Sequence, residues 1–361
     1  MSLVHRTPYR RLLEGKAKVG LAKARIVVPD GVAMAGYSLD GKVGRNAGDE
    51  LWARALVVET LDGAERLAIV ACDIMSASRA LYEAALARLA GWAEASLIVC
   101  GTHTHTAPGR FYGNGFYDFF AQSLGDFPHF GFREDVCEAY ADAVVGAVTA
   151  AWDGREAGTL AVGRVDLWGV ARNRSYEAFE ANYAGAGQHP RDWNEAADSP
   201  APTPPAGLLP QGRASDPRLT TYAAWRDDGT LLGALGTFAC HATALGPEHE
   251  RYGRDWPGFA VGRAQAWLTP AGGETPLIAI TGAAIGDQSP LPPDEPLPID
   301  VDDHQGRGLA RWVGYAVGEA VAASLEAAPT GTDPLTLRPR ATRWAPAEDY
   351  GWDVGFATLA G

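Results

Sequence analysis

Apolar residues along this chain fall into two kinds of run that alternate. Short continuous or alternating apolar runs predict strands at residues 22–28, 53–59, 66–72, 95–100, 160–168, 219–225, 231–240 and 277–281. Between them, apolar positions at helical spacing predict helices at 76–92, 134–153, 257–268 and 304–325, the first behind a serine cap. Leu61-Asp62-Gly63 and Asp227-Asp228-Gly229 carry hairpin signals, so antiparallel pairs are mixed in among the helices. The pattern predicts an α/β fold of mixed β-sheets flanked by helices, in one large catalytic-type domain spanning 1–361, rather than a doubly wound parallel sheet. Residues 111–132 are rich in aromatics and glycine without a steady period and read as a loop; residues 185–210 are rich in proline and glycine and read as a long surface loop. No internal sequence repeat is visible.

Composition narrows the picture. With 361 residues, 47% of them hydrophobic, the chain can bury a large core. A net charge of −13 argues against nucleic acid and anionic membrane surfaces as primary partners. No apolar run approaches the ~18 residues of a membrane span. The opening Met-Ser-Leu-Val-His-Arg-Thr-Pro lacks an apolar signal core. Cys72, Cys100, Cys137 and Cys240 show no Cys-x-x-Cys pairing, and the first, second and fourth sit inside apolar runs. Together these features point to a reduced, cytoplasmic setting.

The most informative stretch is Gly101-Thr-His-Thr-His-Thr-Ala-Pro-Gly109, directly after a predicted strand. Side chains two apart in extended chain share a side, so His103 and His105 leave the strand end together, into a turn made by Pro108 and Gly109. Two imidazoles aimed at one point suit a metal, or a metal plus a proton carrier; the alternative is two unrelated loop histidines. His241, in Thr237-Phe-Ala-Cys-His-Ala-Thr243, ends another apolar strand and is a candidate third imidazole, or a satisfied core group. Residues 278–290 run from a strand into Gly286-Asp287-Gln288-Ser289-Pro290, where glycine-rich backbone N–H groups could face an oxyanion and Ser289 is presented before a proline; a plain Ser-Pro turn is the other reading. Arg174, in Ala171-Arg-Asn-Arg-Ser175, could orient a carbonyl or form a surface ion pair. Glu248, His249, Glu250 and Asp255 follow His241 closely and could support a ligand from behind, or be solvated. The aromatic run through Phe111, Tyr112, Phe116, Tyr117, Phe119 and Phe120 could wall an acyl groove or form a satellite core.

These segments occur in an order that resembles the neutral/alkaline non-lysosomal ceramidase family, from about Ala22 onward. Thr102-His-Thr-His-Thr-Ala-Pro-Gly109 is similar to that family's Thr-His-Thr-His-Ser-Gly-Pro-Gly signature, and Asn173-Arg174-Ser175 to its Asn-Arg-Ser motif. His241 falls where the family has a histidine after an apolar strand. Asp255, in Arg254-Asp-Trp-Pro-Gly258, matches a family aspartate before a Gly-containing turn, and residues 286–290 resemble its Gly-Asp-x-Ser-Pro motif.

The resemblance implies a zinc amidohydrolase that cleaves the N-acyl bond of ceramide or a related lipid-like substrate by metal-activated water. It makes His103 and His241 Zn2+ ligands and sets His105 and Arg174 at the substrate carbonyl and the water, with Asp255 among the catalytic residues. Gly286, Asp287 and Ser289 then contact substrate, Ser289 being the nucleophile in an alternative, metal-free acyl hydrolase. A third reading is a non-catalytic homologue that has lost part of the metal site. The family's remaining ligands, a glutamate and a tyrosine, have no match here. The last residues, 353–361, resemble a mid-domain family segment, so a chain shortened at its C-terminus, without the family's β-sandwich domain, is expected.

Overall fold

The computed structural model describes residues 4–37, 42–46, 49–120, 131–183, 203–291 and 306–340. In chain order its strands are β1 (His5–Arg6), β2 (Arg10–Ile26), β3 (Val32–Ala33), β4 (Val43–Gly44), β5 (Leu51–Glu59), β6 (Arg66–Cys72), β7 (Leu97–Gly101), β8 (Glu156–Trp168), β9 (Ala171–Asn173), β10 (Arg218–Arg226), β11 (Leu231–Phe238), β12 (Leu277–Gly282) and β13 (Gln288–Pro290). The helices are α1 (Arg79–Arg88), α2 (Gly115–Phe120), α3 (Glu134–Asp153), α4 (Tyr176–Tyr183), α5 (Pro210–Arg213), α6 (Asp255–Leu268) and α7 (Arg307–Ala323).

One large sheet runs β12-β11-β10-β8-β2-β5-β6-β7, with β1 added beside β8. It is mixed: β6–β7 and β11–β12 are parallel and the other pairs antiparallel. Helices flank it, as the alternation of runs predicted. Both hairpin turns form where Asp-Gly stands, each closed by a left-handed glycine, Gly63 at φ 71° and Gly229 at φ 84°.

The sheet curls until its two edges meet, and the Thr281 hydroxyl donates to the Gly101 carbonyl across the seam at 2.8 Å. Its inner face closes on a core of Ala17, Val19, Leu56, Leu160, Leu235 and Ala279. On the outer face, α1 and α3 cover β2, β5 and β6, while α6 and α7 cover the β8–β12 side. The order is therefore helices, sheet, sheet, helices.

This arrangement contains a repeat that the amino-acid letters hide. β2-β5-β6-α1-β7-α3 and β8-β10-β11-α6-β12-α7 follow the same order with the same pairing sense, apart from short insertions. Each half is a hairpin, a helix, a parallel strand and a covering helix.

Two expectations change. β2 begins at Arg10, not at residue 22: its first half, mostly charged and small residues, pairs with β8 over Arg10–Val19, and its second half pairs with β5 over Lys18–Ile26. Ala17 and Val19 point inward between Lys16 and Lys18, and Gly20 lets α3 approach so closely that a Cβ there would lie 2.1 Å from the Ala151 carbonyl oxygen. Strand propensity is weak for such a sequence, and packing on both sides supplies the rest. In the aromatic stretch, residues 115–120 form α2, and Phe111 and Tyr112 belong to the core against Tyr140. Most of the 185–210 segment, and the C-terminal residues 353–361, lie outside the described residues.

Candidate metal centre

β7 and β11 deliver their histidines to the seam from opposite halves. His103 is not simply the next extended residue: it adopts a left-handed φ of 64°, an uncommon conformation for a residue with a Cβ. Its amide donates to the Ile74 carbonyl at 3.0 Å, which fixes the turn. Thr104 then bridges to Ala242, and the His105 amide donates to the Ala242 carbonyl at 3.4 Å, so the segment after β7 is tied to the segment after β11. Alternation does the sorting from here. Thr104 and Thr106 donate their hydroxyls to one acceptor, the Gly253 carbonyl, at 2.8 and 3.0 Å, and the histidines are left for the other side. Behind the turn, Tyr140 of α3 donates its hydroxyl to the Pro108 carbonyl at 2.8 Å.

The rings of His103, His105 and His241 converge. Their centroids stand 4.4 Å apart for 103–241, 4.9 Å for 103–105 and 5.6 Å for 105–241. One ring nitrogen from each lies within 4.8 Å of the others. The His103 Nδ1 sits 2.8 Å from the Met75 carbonyl, and the His241 Nδ1 lies 2.7 and 3.1 Å from the carbonyls of Ile285 and Gln288. A carbonyl can only accept, so Nδ1 carries the proton in both rings, and the Nε2 lone pairs are free. That is how metal-ligating histidines are usually oriented. Neither nitrogen of His105 is hydrogen-bonded among the described residues.

Burial holds all three rings neutral. His103 is lowered to about 4, first by desolvation and then by His241. His105 is lowered to about 3 by desolvation and by the charges of His103, His241 and Arg174, with the Gly36 backbone as the one opposing influence. His241 is lowered as well, mainly by desolvation. Neutral imidazoles are the form that binds a cation. Three neutral nitrogens, two oriented from behind and one without a partner, fit a borderline-soft divalent metal such as zinc.

The other expected residues gather around this cluster in different ways. Arg174 grips the Gly286 carbonyl with Nε and Nη2, at 3.1 and 2.7 Å, and its charge acts on all three imidazoles. Asn173 donates to the Asp287 carboxylate at 2.8 Å. The glycine-rich turn uses its carbonyls, of Ile285 and Gly286, to orient His241 and Arg174. Ser289 lies in β13 opposite Arg172 of β9, and no hydrogen bond joins it to a histidine among the described residues. Asp255 is buried at the start of α6, where its carboxylate accepts from the amides of Leu245 at 2.8 Å and Trp256 at 2.5 Å. Glu248 and Glu250 are exposed, whereas His249 is buried.

The model of the neutral/alkaline non-lysosomal ceramidase family, N-terminal part, matches residues 18–292, which include every residue named above as part of the centre. The chain belongs to this family. It is 25% identical over 298 residues to the neutral ceramidase of Mycobacterium tuberculosis, covering 77% of this chain and 42% of that protein. It is 26% identical over 308 residues to that of Pseudomonas aeruginosa, covering 82% and 41%. The crystal structure of the Pseudomonas aeruginosa neutral ceramidase shares the fold, with a TM-score of 0.67 at 22% identity over 86% of this chain and 45% of that one. This member of the ceramidase family therefore spans less than half the length of these relatives.

Within the family member's centre, several supports had no sequence signal. Gly36 and Tyr37 sit on the segment that follows β3, which runs beside residues 107–109, and they reach His105 from there. The Met75 carbonyl and the Trp256 indole, which donates to the His241 carbonyl at 3.0 Å, are equally invisible in sequence because backbone acceptors and packing partners carry no motif. Asp73 did have one: it ends an apolar strand after Ala71-Cys72, as His241 does after Ala239-Cys240.

Proposed function

We propose that this chain forms the catalytic core of a zinc-dependent amidohydrolase that cleaves the N-acyl bond of ceramide or a related N-acyl lipid-like substrate. The convergence of His103, His105 and His241 carries this reading, and membership of the ceramidase family supplies the substrate class. His103 and His241, each with Nδ1–H held by a carbonyl, would hold the cation through Nε2. A bound zinc ion would lower the pKa of water to about 7 and polarise the amide carbonyl.

The chain's own residues account for proton movement and charge. His105 is neutral and its ring faces those of His103 and His241, which places it to relay a proton from water to the leaving amine. The balance is one water added across one C–N bond, giving a carboxylic acid and a free amine. Arg174, anchored on Gly286, keeps a positive charge facing the cluster where negative charge on the carbonyl oxygen develops. Ser289 has no base among the described histidines, which favours water over the serine hydroxyl as nucleophile.

Metal content and hydrolysis of a short-chain N-acyl amide, measured on the purified full chain, test the proposal. Activity should vanish with a strong chelator, return with zinc, and be lost in His103→Ala and His241→Ala. Hydrolysis that survives the chelator but disappears in Ser289→Ala would overturn it in favour of a serine acyl hydrolase.

A further inference from the structure

His105 is held differently from its two neighbours. They are fixed by hydrogen bonds at Nδ1; His105 has no hydrogen bond of full geometry among the described residues, and lies against the Gly36 backbone. Gly36, at φ 100°, lies so close that a Cβ there would come within 2.3 Å of the His105 Nδ1. The Tyr37 ring stands 5.0 Å from the imidazole at an interplanar angle of 60°. What sets the tyrosine is a hydrogen-bonded path through one residue, Leu245. The Tyr37 hydroxyl donates to the Leu245 carbonyl, and the Leu245 amide donates to Asp255 Oδ2 at 2.8 Å. Asp255 in turn sits next to Trp256, whose indole N–H donates to the His241 carbonyl.

Asp255 is 2% exposed and has a left-handed φ of 50°. A buried carboxylate in a strained conformation persists only where its surroundings hold it there. Its role is visible in its partners, all of them backbone amides of the loop after His241 and of the helix it starts.

We propose that Tyr37 and Asp255 are positioning residues that act from the two sides of Leu245, on its carbonyl and its amide, to aim the His105 imidazole at the centre of the cluster and keep it in register with His241. The kinetic consequence rests on the hydrolase reading; the aiming of the ring does not. Removing the Tyr37 hydroxyl frees the tyrosine ring to swing, and His105 loses the wall that aims it.

The test uses the full chain labelled with 15N-histidine, with the His105 imidazole signals identified by their loss in His105→Ala. In the metal-free protein, Tyr37→Phe and Asp255→Asn should each shift or broaden the His105 signals and leave those of His5 in place. The double variant should do no more than the larger single, because both act through the same residue, Leu245. In the hydrolysis assay, kcat should fall about tenfold with KM and zinc affinity within about twofold, the mark of a misaimed group rather than a lost site. His105 signals unmoved in Tyr37→Phe would overturn the proposal, as would a parallel loss of zinc affinity and kcat. Should Asp255→Asn not fold, Tyr37→Phe decides alone. An inactive His105→Ala with normal Tyr37→Phe signals sinks the positioning role only; a parent chain that neither binds zinc nor hydrolyses the amide sinks the hydrolase reading and leaves the labelled spectra to judge the ring.

Discussion

The two halves of this molecule reach the end of their second hairpin strand with the same small pair, Ala-Cys, and then diverge. In the first half Asp73 follows; in the second, His241. Asp73 is consumed by structure: its carboxylate takes the Arg54 guanidinium at 2.9 Å and the Trp52 amide at 2.9 Å, with side-chain exposures of only 1% and 5% for the ion pair. His241 keeps its Nε2 free and faces two imidazoles. One position in a repeated scaffold can thus serve holding or chemistry, and the choice depends on whether the polar atoms are all spoken for. The holding half is not idle, since Asp73 precedes Ile74 and Met75, whose carbonyls fix the backbone and ring of His103.

If that contrast is right, the two positions should fail in opposite ways. His241→Ala should cut hydrolysis about a thousandfold, roughly 4 kcal/mol of lost transition-state stabilisation, and abolish tight zinc binding, while its urea midpoint stays near that of the parent metal-free chain. Equal activity in the two proteins would remove the chemical half of the comparison. Asp73→Ala should cost about 3–5 kcal/mol in urea unfolding because Arg54 is left buried and unpaired. Replacing both by apolar residues of similar size, Arg54→Met with Asp73→Leu, should recover most of that loss. A single Asp73→Ala that unfolds with the parent's midpoint would show that the ion pair holds nothing.

Acid should separate the halves more gently. The depressed pKa values of His103, about 4, and His105, about 3, mean that the unfolded chain binds protons the folded one refuses below about 6.5. Stability linked to them is present above that pH and drains away as pH falls toward the folded values. Asp255, pushed up to about 7 by burial, works the other way: the folded state holds its proton more tightly, a contribution complete below about 3.8 and lost as pH rises through 7. His241 is lowered in the same direction, so three imidazoles against one carboxyl leave the metal-free chain less stable at pH 5 than at pH 7. Urea unfolding at the two pH values reads this directly, and stability that rises on acidification would contradict it.

Much of the framework could be read from residues alone. The helix at 134–153 has its apolar stripe through Val136, Tyr140, Val144 and Val148, and both Asp-Gly turns announce themselves. The histidine convergence was legible because imidazoles at strand ends are scarce and chemically distinctive. What stayed hidden has a common cause. The long β2 is stabilised by two partners taken in turn, β8 along its first half and β5 along its second, rather than by its own apolar content. The structural repeat lives in pairing order, which very different side chains satisfy equally. Gly36 and Tyr37 matter only because an antiparallel bridge at Met34 and Pro108 lays their segment beside His105. The part the 285–288 turn plays through its Ile285 and Gly286 carbonyls was hidden for a related reason: sequence shows that glycines free the backbone, but not which carbonyls will meet a side chain.

The seam has one last implication. His103 arrives from one half of the chain and His241 from the other, above a seam tied by the Thr281–Gly101 hydrogen bond and the Thr104–Ala242 bridge. A cation gripped by both would behave as a clasp between the halves, adding RT ln(1 + [M]/Kd) to their resistance to coming apart. Catalytic competence and mechanical closure would then be gained, and surrendered, in a single event.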